Sequence, residues 1–265
     1  MNVFRRFLFF SFLLFLIGFG LAGLLVTLDA PQFIVYILKV LMAWTPNVAF
    51  VIIYRRLGRD ISVWRHIGNL FTVRVRLVPL LLSILVPVVA VVAIGLLSAL
   101  YLETGVAGVI KDVSVGAALL LFLHNLIQGP LGEEVGWRGY ALTELKKRFS
   151  TVASSLILGV IWGLWHLPLW FVSGYSGVDL LLYVVFFMVT IVSLSLIIGV
   201  VYQGEGNNLI YAVLLHQMFN YTLSFLEVDL LKILGAASIV YVVLATGFGL
   251  YEIRKSSGKA VRANG

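Results

Sequence analysis

The sequence contains no cysteine, which excludes a disulfide framework, an iron–sulfur cluster, a thiolate zinc site and a thiol nucleophile. Charge is scarce as well. Asp, Glu, Lys and Arg make up 12% of the 265 residues, against about 25% in a soluble globular domain. With 61% apolar residues and a mean hydropathy of +1.06, the chain is neither disordered nor an ordinary soluble fold. Only six prolines interrupt it. Pro79, Pro87 and Pro130 lie inside or at the ends of apolar runs, where neighbouring membrane helices can satisfy the freed carbonyls. What is abundant is apolar sequence in runs of about twenty residues, each long enough to cross a bilayer as a helix. The chain therefore reads as all-α, a polytopic transmembrane bundle. Residues 1–265 form one integral-membrane domain, with no internal repeat or long linker.

Eight spans fit the pattern, roughly 7–28, 33–54, 77–101, 113–133, 153–172, 178–202, 207–226 and 230–251. The first follows Arg5 and Arg6 but is too long for a signal-peptide core and lacks a small-residue cleavage site, so it reads as a membrane helix. A net charge of +7 in a soluble protein would suggest nucleic acid. Here the excess sits between apolar runs, so the partner it implies is the bilayer and not nucleic acid. With eight crossings, sixteen of the nineteen basic residues fall on one side. They are Arg5 and Arg6, the group from Arg55 to Arg76 that includes Arg59, then Arg138 and Lys146–Arg148, and Arg254, Lys255, Lys259 and Arg262. Lys111 and Lys232 fall on the other side, and Lys39 lies inside a span. The positive-inside rule then places both termini in the cytoplasm. The segment 55–76 reads either as an amphipathic stretch on the inner surface or as a solvated loop.

Against this apolar background, Glu133 and Glu134 in Gly129-Pro-Leu-Gly-Glu-Glu-Val-Gly-Trp-Arg138 demand a physical reason, because carboxylates in a span are costly. Glu134 and Arg138 are four apart and share a helix face, so they can pair. Glu133 projects about 100° away and lacks that cation. One acid is then structural, and the other is a candidate general base. The alternative is that both acids cap an interfacial loop. His166 lies in another apolar span. The turn near Phe149 stands 16 residues after Glu133 and 17 before His166, so an antiparallel hairpin brings the two to one depth. His216 and Asn220 are four apart on a third helix and should face the bundle interior. His124 and His66, by contrast, read as structural hydrogen-bond formers. The Gly174–Gly177 stretch around Ser176 reads as a turn, not a nucleophile elbow.

Glu133-Glu134-x-x-x-Arg138, Trp162-x-x-x-His166 and His216-x-x-x-Asn220 resemble, in order, the three motifs of the CPBP (Abi) intramembrane endopeptidases. That family includes type II CAAX prenyl proteases and bacteriocin-processing or immunity proteins. The similarity spans residues 120–225. It departs from the family at Trp162, where Phe is usual. The resemblance implies a membrane-embedded peptidase in which Glu133 and His166 activate a water and His216 and Asn220 stabilise the oxyanion. Glu134 and Arg138 would support the site. It also implies a peptide or membrane-associated protein substrate, lipidated in the prenylated case, cut near the cytoplasmic leaflet. No cofactor is favoured. Were zinc or another divalent metal required, the ligands would be Glu133, His166 and His216, although no His-Glu-x-x-His string is present. Two other functions stay open: a non-enzymatic immunity or binding protein, and a transporter with a Glu/His proton relay, against which the lack of repeat symmetry counts.

Overall fold

The computed structural model describes residues 2–58 and 60–263, with side chains described as far as residue 258. Arg59 and the side chains of Lys259 and Arg262 thus lie outside the described residues. Among the described residues there is no strand, only an isolated bridge between Ile110 and Leu226. The helices are α1 (Val3–Thr27), α2 (Gln32–Ala43), α3 (Thr45–Tyr54), α4 (Val63–Asn69), α5 (Leu77–Tyr101), α6 (Val115–Gln128) and α7 (Pro130–Glu134). A π-helix over Val135–Leu142 leads into α8 (Thr143–Lys146), followed by α9 (Thr151–Trp165), α10 (Leu167–Trp170), α11 (Gly177–Gly204), α12 (Leu209–Leu223) and α13 (Leu230–Ala263).

Local chemistry fixes where these helices begin. Asn2, Ser62, Ser114, Ser150 and Asn208 each accept a hydrogen bond from a backbone N–H in the first turn that follows, satisfying one of the donors a helix start leaves free. Long apolar composition then carries the chain through the bundle. Among the described residues five helices are long and apolar enough to span a membrane: Val3–Thr27, Leu77–Tyr101, Val115–Lys146, Gly177–Gly204 and Leu230–Gly258. A sixth is the pair Gln32–Ala43 and Thr45–Leu57, bent by 52° where Pro46 stands in the first turn of α3 and cannot donate to the preceding turn. The sequence pattern predicts eight. The two further regions hold α9 and α12, each 15 residues and so about 22 Å long, short of a ~30 Å hydrocarbon core. A break at His166–Pro168 stops α9, and His216, Gln217 and Asn220 dilute the apolar character of α12. These two short helices carry the candidate site.

Loop contacts sort the connections to two ends of the bundle. At one end Leu209 N–H donates to Leu70 O, Asn208 binds Val73 O, and Arg76 pairs with Glu205 at 3.3 Å. At the other, Lys111 and Glu227 exchange backbone bonds with Phe225 and Val109, and Tyr175 donates to Asp229. Between the ends, α11 packs against α13 and α9, α5 against α12 and α13, and α1 against α2 and α3.

The π-helix packs onto the bend between α2 and α3 at backbone distance. A Cβ placed on Gly136 would lie 2.6 Å from Pro46 O, while the Gly136 N–H donates to Asn47 Oδ1 at 2.9 Å and Asn47 Nδ2 donates to Leu131 O at 2.8 Å. The obstacle is backbone and cannot swing aside. Gly136→Ala is therefore expected to destabilise the protein by about 1–3 kcal/mol, read as a lowered thermal midpoint in detergent, whereas Gly20→Ala, at a position where an added Cβ meets nothing, should leave the midpoint in place.

Candidate active site

The site is assembled where three helices break. Helix α6 stops at Gln128, and Gly129 takes an irregular backbone conformation (φ −135°, ψ −105°) before Pro130 opens α7. Glu133 and Glu134 end α7, and the wider π-helix follows at once; such insertions recur at functional sites. Helix α9 ends at Trp165, so His166 stands at its C-terminal junction with α10.

Glu134 is fully buried. Its Oε1 accepts from Arg138 Nη1 at 2.9 Å and lies 2.7 Å from His216 Nδ1. Arg138, also fully buried, sets its guanidinium 4.3 Å from the Trp162 ring centroid, a favourable cation–π placement. The i,i+4 pair read from the sequence thus forms, with a second partner from α12.

Trp162 connects this layer to Glu133. Its indole N–H donates to Glu133 Oε2 at 2.7 Å, and its ring meets His216 and His166 edge-on at 5.0 and 5.9 Å. Its carbonyl lies 2.8 Å from His166 Nδ1. A carbonyl only accepts, so Nδ1 carries the proton and Nε2 of a neutral His166 keeps its lone pair. Trp165 and Phe187 pack against the imidazole at 4.7 and 5.3 Å and fix its plane.

Glu133 and His166 line the same cavity, of about 510 Å³. Its wall is otherwise apolar apart from Lys39 and Gln128, and is built by α1, α2, Trp165, Leu169 and Val172. His216 and Asn220 meet elsewhere, at the Gly129 break. A Cβ on Gly129 would lie 2.8 Å from Asn220 Nδ2 and 3.7 Å from His216 Nε2, so the missing side chain lets both polar groups reach the backbone there. Glu133 and His166 thus line one cavity, His216 lies against Glu134 and beside Asn220, and Trp162 contacts Glu133, His166 and His216. Among the described residues no three His, Cys, Asp or Glu side chains are grouped to hold a metal ion. His216 turns Nδ1 to Glu134 at 2.7 Å, which leaves Nε2 as its second ring nitrogen.

Sequence reasoning does not find the indole N–H as a ligand of Glu133, because residue spacing says nothing about which way a side chain on another helix points. It also does not find Gln128 or Asn47. Lys39 carries a signal, a cation within a span, without showing what it faces. His124 bonds Tyr36 at 3.0 Å, apart from the cavity.

Residues 115–222 match the model of the family described as type II CAAX prenyl endopeptidase Rce1-like. The chain is also similar to CAAX prenyl protease 2 of Methanococcus maripaludis, 30% identical over 135 residues, which cover 46% of this chain and 49% of that protein. The chain thus spans about half the length of the curated relative it matches.

Glu134 Oε2 and Arg138 Nε and Nη2 have no protein hydrogen-bond partner, so the pair relies on its one close contact, on His216 Nδ1 and on the Trp162 ring. Removing one partner would strand the other charge in the bundle. Arg138→Met is expected to cost about 3–5 kcal/mol of stability, measured by thermal unfolding in micelles, while the exposed pair partner Lys147→Met should shift the midpoint by less than about 1 kcal/mol.

Proposed function

We propose, on the match of residues 115–222 to the Rce1-like type II CAAX endopeptidase model, that this chain is an intramembrane endopeptidase that hydrolyses a peptide bond with a water activated by Glu133 and His166. One observation carries the reading: the two side chains line a single cavity, one held by an indole N–H and the other with Nδ1 turned to the Trp162 carbonyl. A water between them attacks the peptide carbonyl carbon while its proton passes to Glu133. The C–N bond then breaks as the leaving amine takes that proton. His166 Nε2 accepts a hydrogen bond from the same water and fixes its approach. His216 Nδ1 lies 2.7 Å from the Glu134 carboxylate, and its Nε2 lies near Gly129 beside Asn220 Nδ2. This pair supplies the donors that a developing oxyanion needs. No metal takes part in this reading, which rests on the donor arrangement around Glu133 and His166.

The substrate is a peptide or membrane-associated protein, lipidated or not, whose cleavable segment enters an apolar, bilayer-level cavity. Both termini are cytoplasmic on the charge rule. The lining of the cavity runs from Phe15 to Val26 along α1 and from Ala43 back to Val35 along α2, away from the end where Arg76 meets Glu205. On that orientation we place the cavity nearer the leaflet opposite the basic loops. A chain without cysteine allows a clean test. Gln32→Cys should react with an impermeant maleimide in intact cells, and Lys147→Cys only after permeabilisation; the reverse pattern would invert the topology.

Catalysis is tested by purified protein and a reporter peptide. Glu133→Gln and His166→Ala should each lower turnover by about 10²–10⁴ with the thermal midpoint retained. Trp162→Phe, which keeps the ring and removes the N–H, should cost about tenfold in kcat. Activity that is lost to phenanthroline and restored by zinc, with metal found in the purified protein by mass spectrometry, would overturn the metal-free reading. A pure wild-type protein that never cuts would overturn the enzyme itself.

A further inference from the structure

A second cavity, of about 620 Å³, occupies the cleft between α5, α11 and α13 and shares no lining residue with the one that holds Glu133 and His166. Its walls are largely apolar, with Val78 and Leu82 from α5, Val200 from α11, and Val243, Leu244 and Phe248 from α13. Val78, Leu82 and Val243 are exposed, so the cleft opens sideways. Both α5 and α13 are long and apolar enough to cross a membrane, and what lies beside such a cleft in a bilayer is lipid.

One end of the cleft is charged. Arg76, Glu205 and Lys255 stand there. Arg76 Nη1 donates to Glu205 Oε1 at 3.3 Å, and the Arg76 side chain is 67% exposed. A guanidinium carries five N–H donors, so this pair fixes the group at the mouth and leaves most of its donors for a ligand. Lys255 Nζ stands 5.7 Å from the Tyr251 ring centroid and forms no ion pair among the described residues. Arg254 lines an adjoining pocket that shares Tyr251 and Lys255. Three cations thus gather around one carboxylate, and the excess is positive. Length fits as well. Val243 precedes Lys255 by 12 residues, about 18 Å along a helix, against about 15 Å for half of a hydrocarbon core. The apolar cleft therefore runs from its charged end to about the middle of a bilayer.

We propose that this cleft is a binding site for an anionic glycerophospholipid, with one acyl chain laid between α5 and α13 and the phosphate held by Arg76 and Lys255. Basic pockets between membrane helices suit phosphate headgroups, and hydrogen bonds from ionised donors to phosphate are among the stronger ones. A neutral lipid fills the same groove but leaves the surplus positive charge unanswered. The site goes beyond the peptidase reading and does not depend on it. A free phosphate presents the same headgroup chemistry without the chain, and the arms of the experiment separate the two.

The test uses the full chain, purified and stripped of lipid in non-ionic detergent, with binding read by native mass spectrometry. Phosphatidylglycerol and phosphatidylcholine with identical acyl chains are titrated against it. The anionic lipid is expected to bind about tenfold more tightly or better. Arg76→Gln combined with Lys255→Gln should remove that preference, whereas Lys147→Gln, at a cation outside the cleft, should retain it. Gly247 lines the cleft, and a Cβ there meets nothing. Gly247→Leu therefore fills the groove without a clash and should weaken both lipids by at least about fivefold. Thermal midpoints without added lipid check that each variant is folded; should the double variant not fold, the two single substitutions and Gly247→Leu decide. Equal affinity for the two lipids overturns the proposal, as does a preference that survives the double substitution or is lost equally in Lys147→Gln. Displacement of phosphatidylglycerol by millimolar inorganic phosphate, or binding undiminished in Gly247→Leu, overturns it too, since either would reduce the cleft to an anion-binding surface.

Discussion

A single buried carboxylate, shared between a guanidinium and an imidazole, fixes the middle of this bundle. Glu134 holds Arg138 from its own helical segment and His216 from α12. Breaking the arrangement would leave an uncompensated charge where no water competes for it, so the three side chains lock the π-helical segment to α12 in one register. Trp162 closes the layer from α9 by placing its ring beneath the guanidinium. Through the indole N–H the same residue then positions Glu133. Support and chemistry are joined at one aromatic side chain, and a Phe there would keep the stacking but not the hydrogen bond.

The second constraint is backbone continuity. A membrane helix that ran unbroken from Val115 to Lys146 would present its polar residues on one fixed stripe. Instead the chain breaks at Gly129, widens over Val135–Leu142 and abuts the bend of α2 and α3 closely enough that Gly136 tolerates no Cβ. Glu133 and Glu134 sit in the short α7 between these departures, where ordinary helical rotation of about 100° per residue turns one toward the cavity and the other toward His216 of α12. Breaks at His166 and near Trp44 shape the opposite wall. Irregular backbone within a membrane is tolerated only where protein or a cavity satisfies it, and here each break borders the polar cluster.

Much of this arrangement is legible in the amino-acid pattern, unevenly so. The pairing of Glu134 with Arg138 follows from a separation of four residues. The hairpin around Phe149 brings Glu133 and His166 to a common depth by counting alone. The partner of His216 is not legible, because its helix is joined to α7 through more than seventy residues of intervening chain, and no local rule fixes the rotation of one helix about its axis relative to another. Helix length among the described residues supports five or six of the eight spans, for a related reason. Apolar composition marks α9 and its surroundings as a span, but a straight helix of 15 residues is about 22 Å long, shorter than a ~30 Å hydrocarbon core.

By itself, the sequence determined that this chain is a helical membrane protein, where its charges gather, and which few polar residues stand out against an apolar background. Those properties depend on transfer free energies and on spacing within one helix, both of which are local. Only the tertiary structure decided that Glu133 and His166 share a cavity with Lys39, that His216 turns to Glu134, and that an indole stands between the two sets. Those relations depend on how separate helices rotate and approach, and that is set by backbone breaks and buried contacts between residues far apart in the chain.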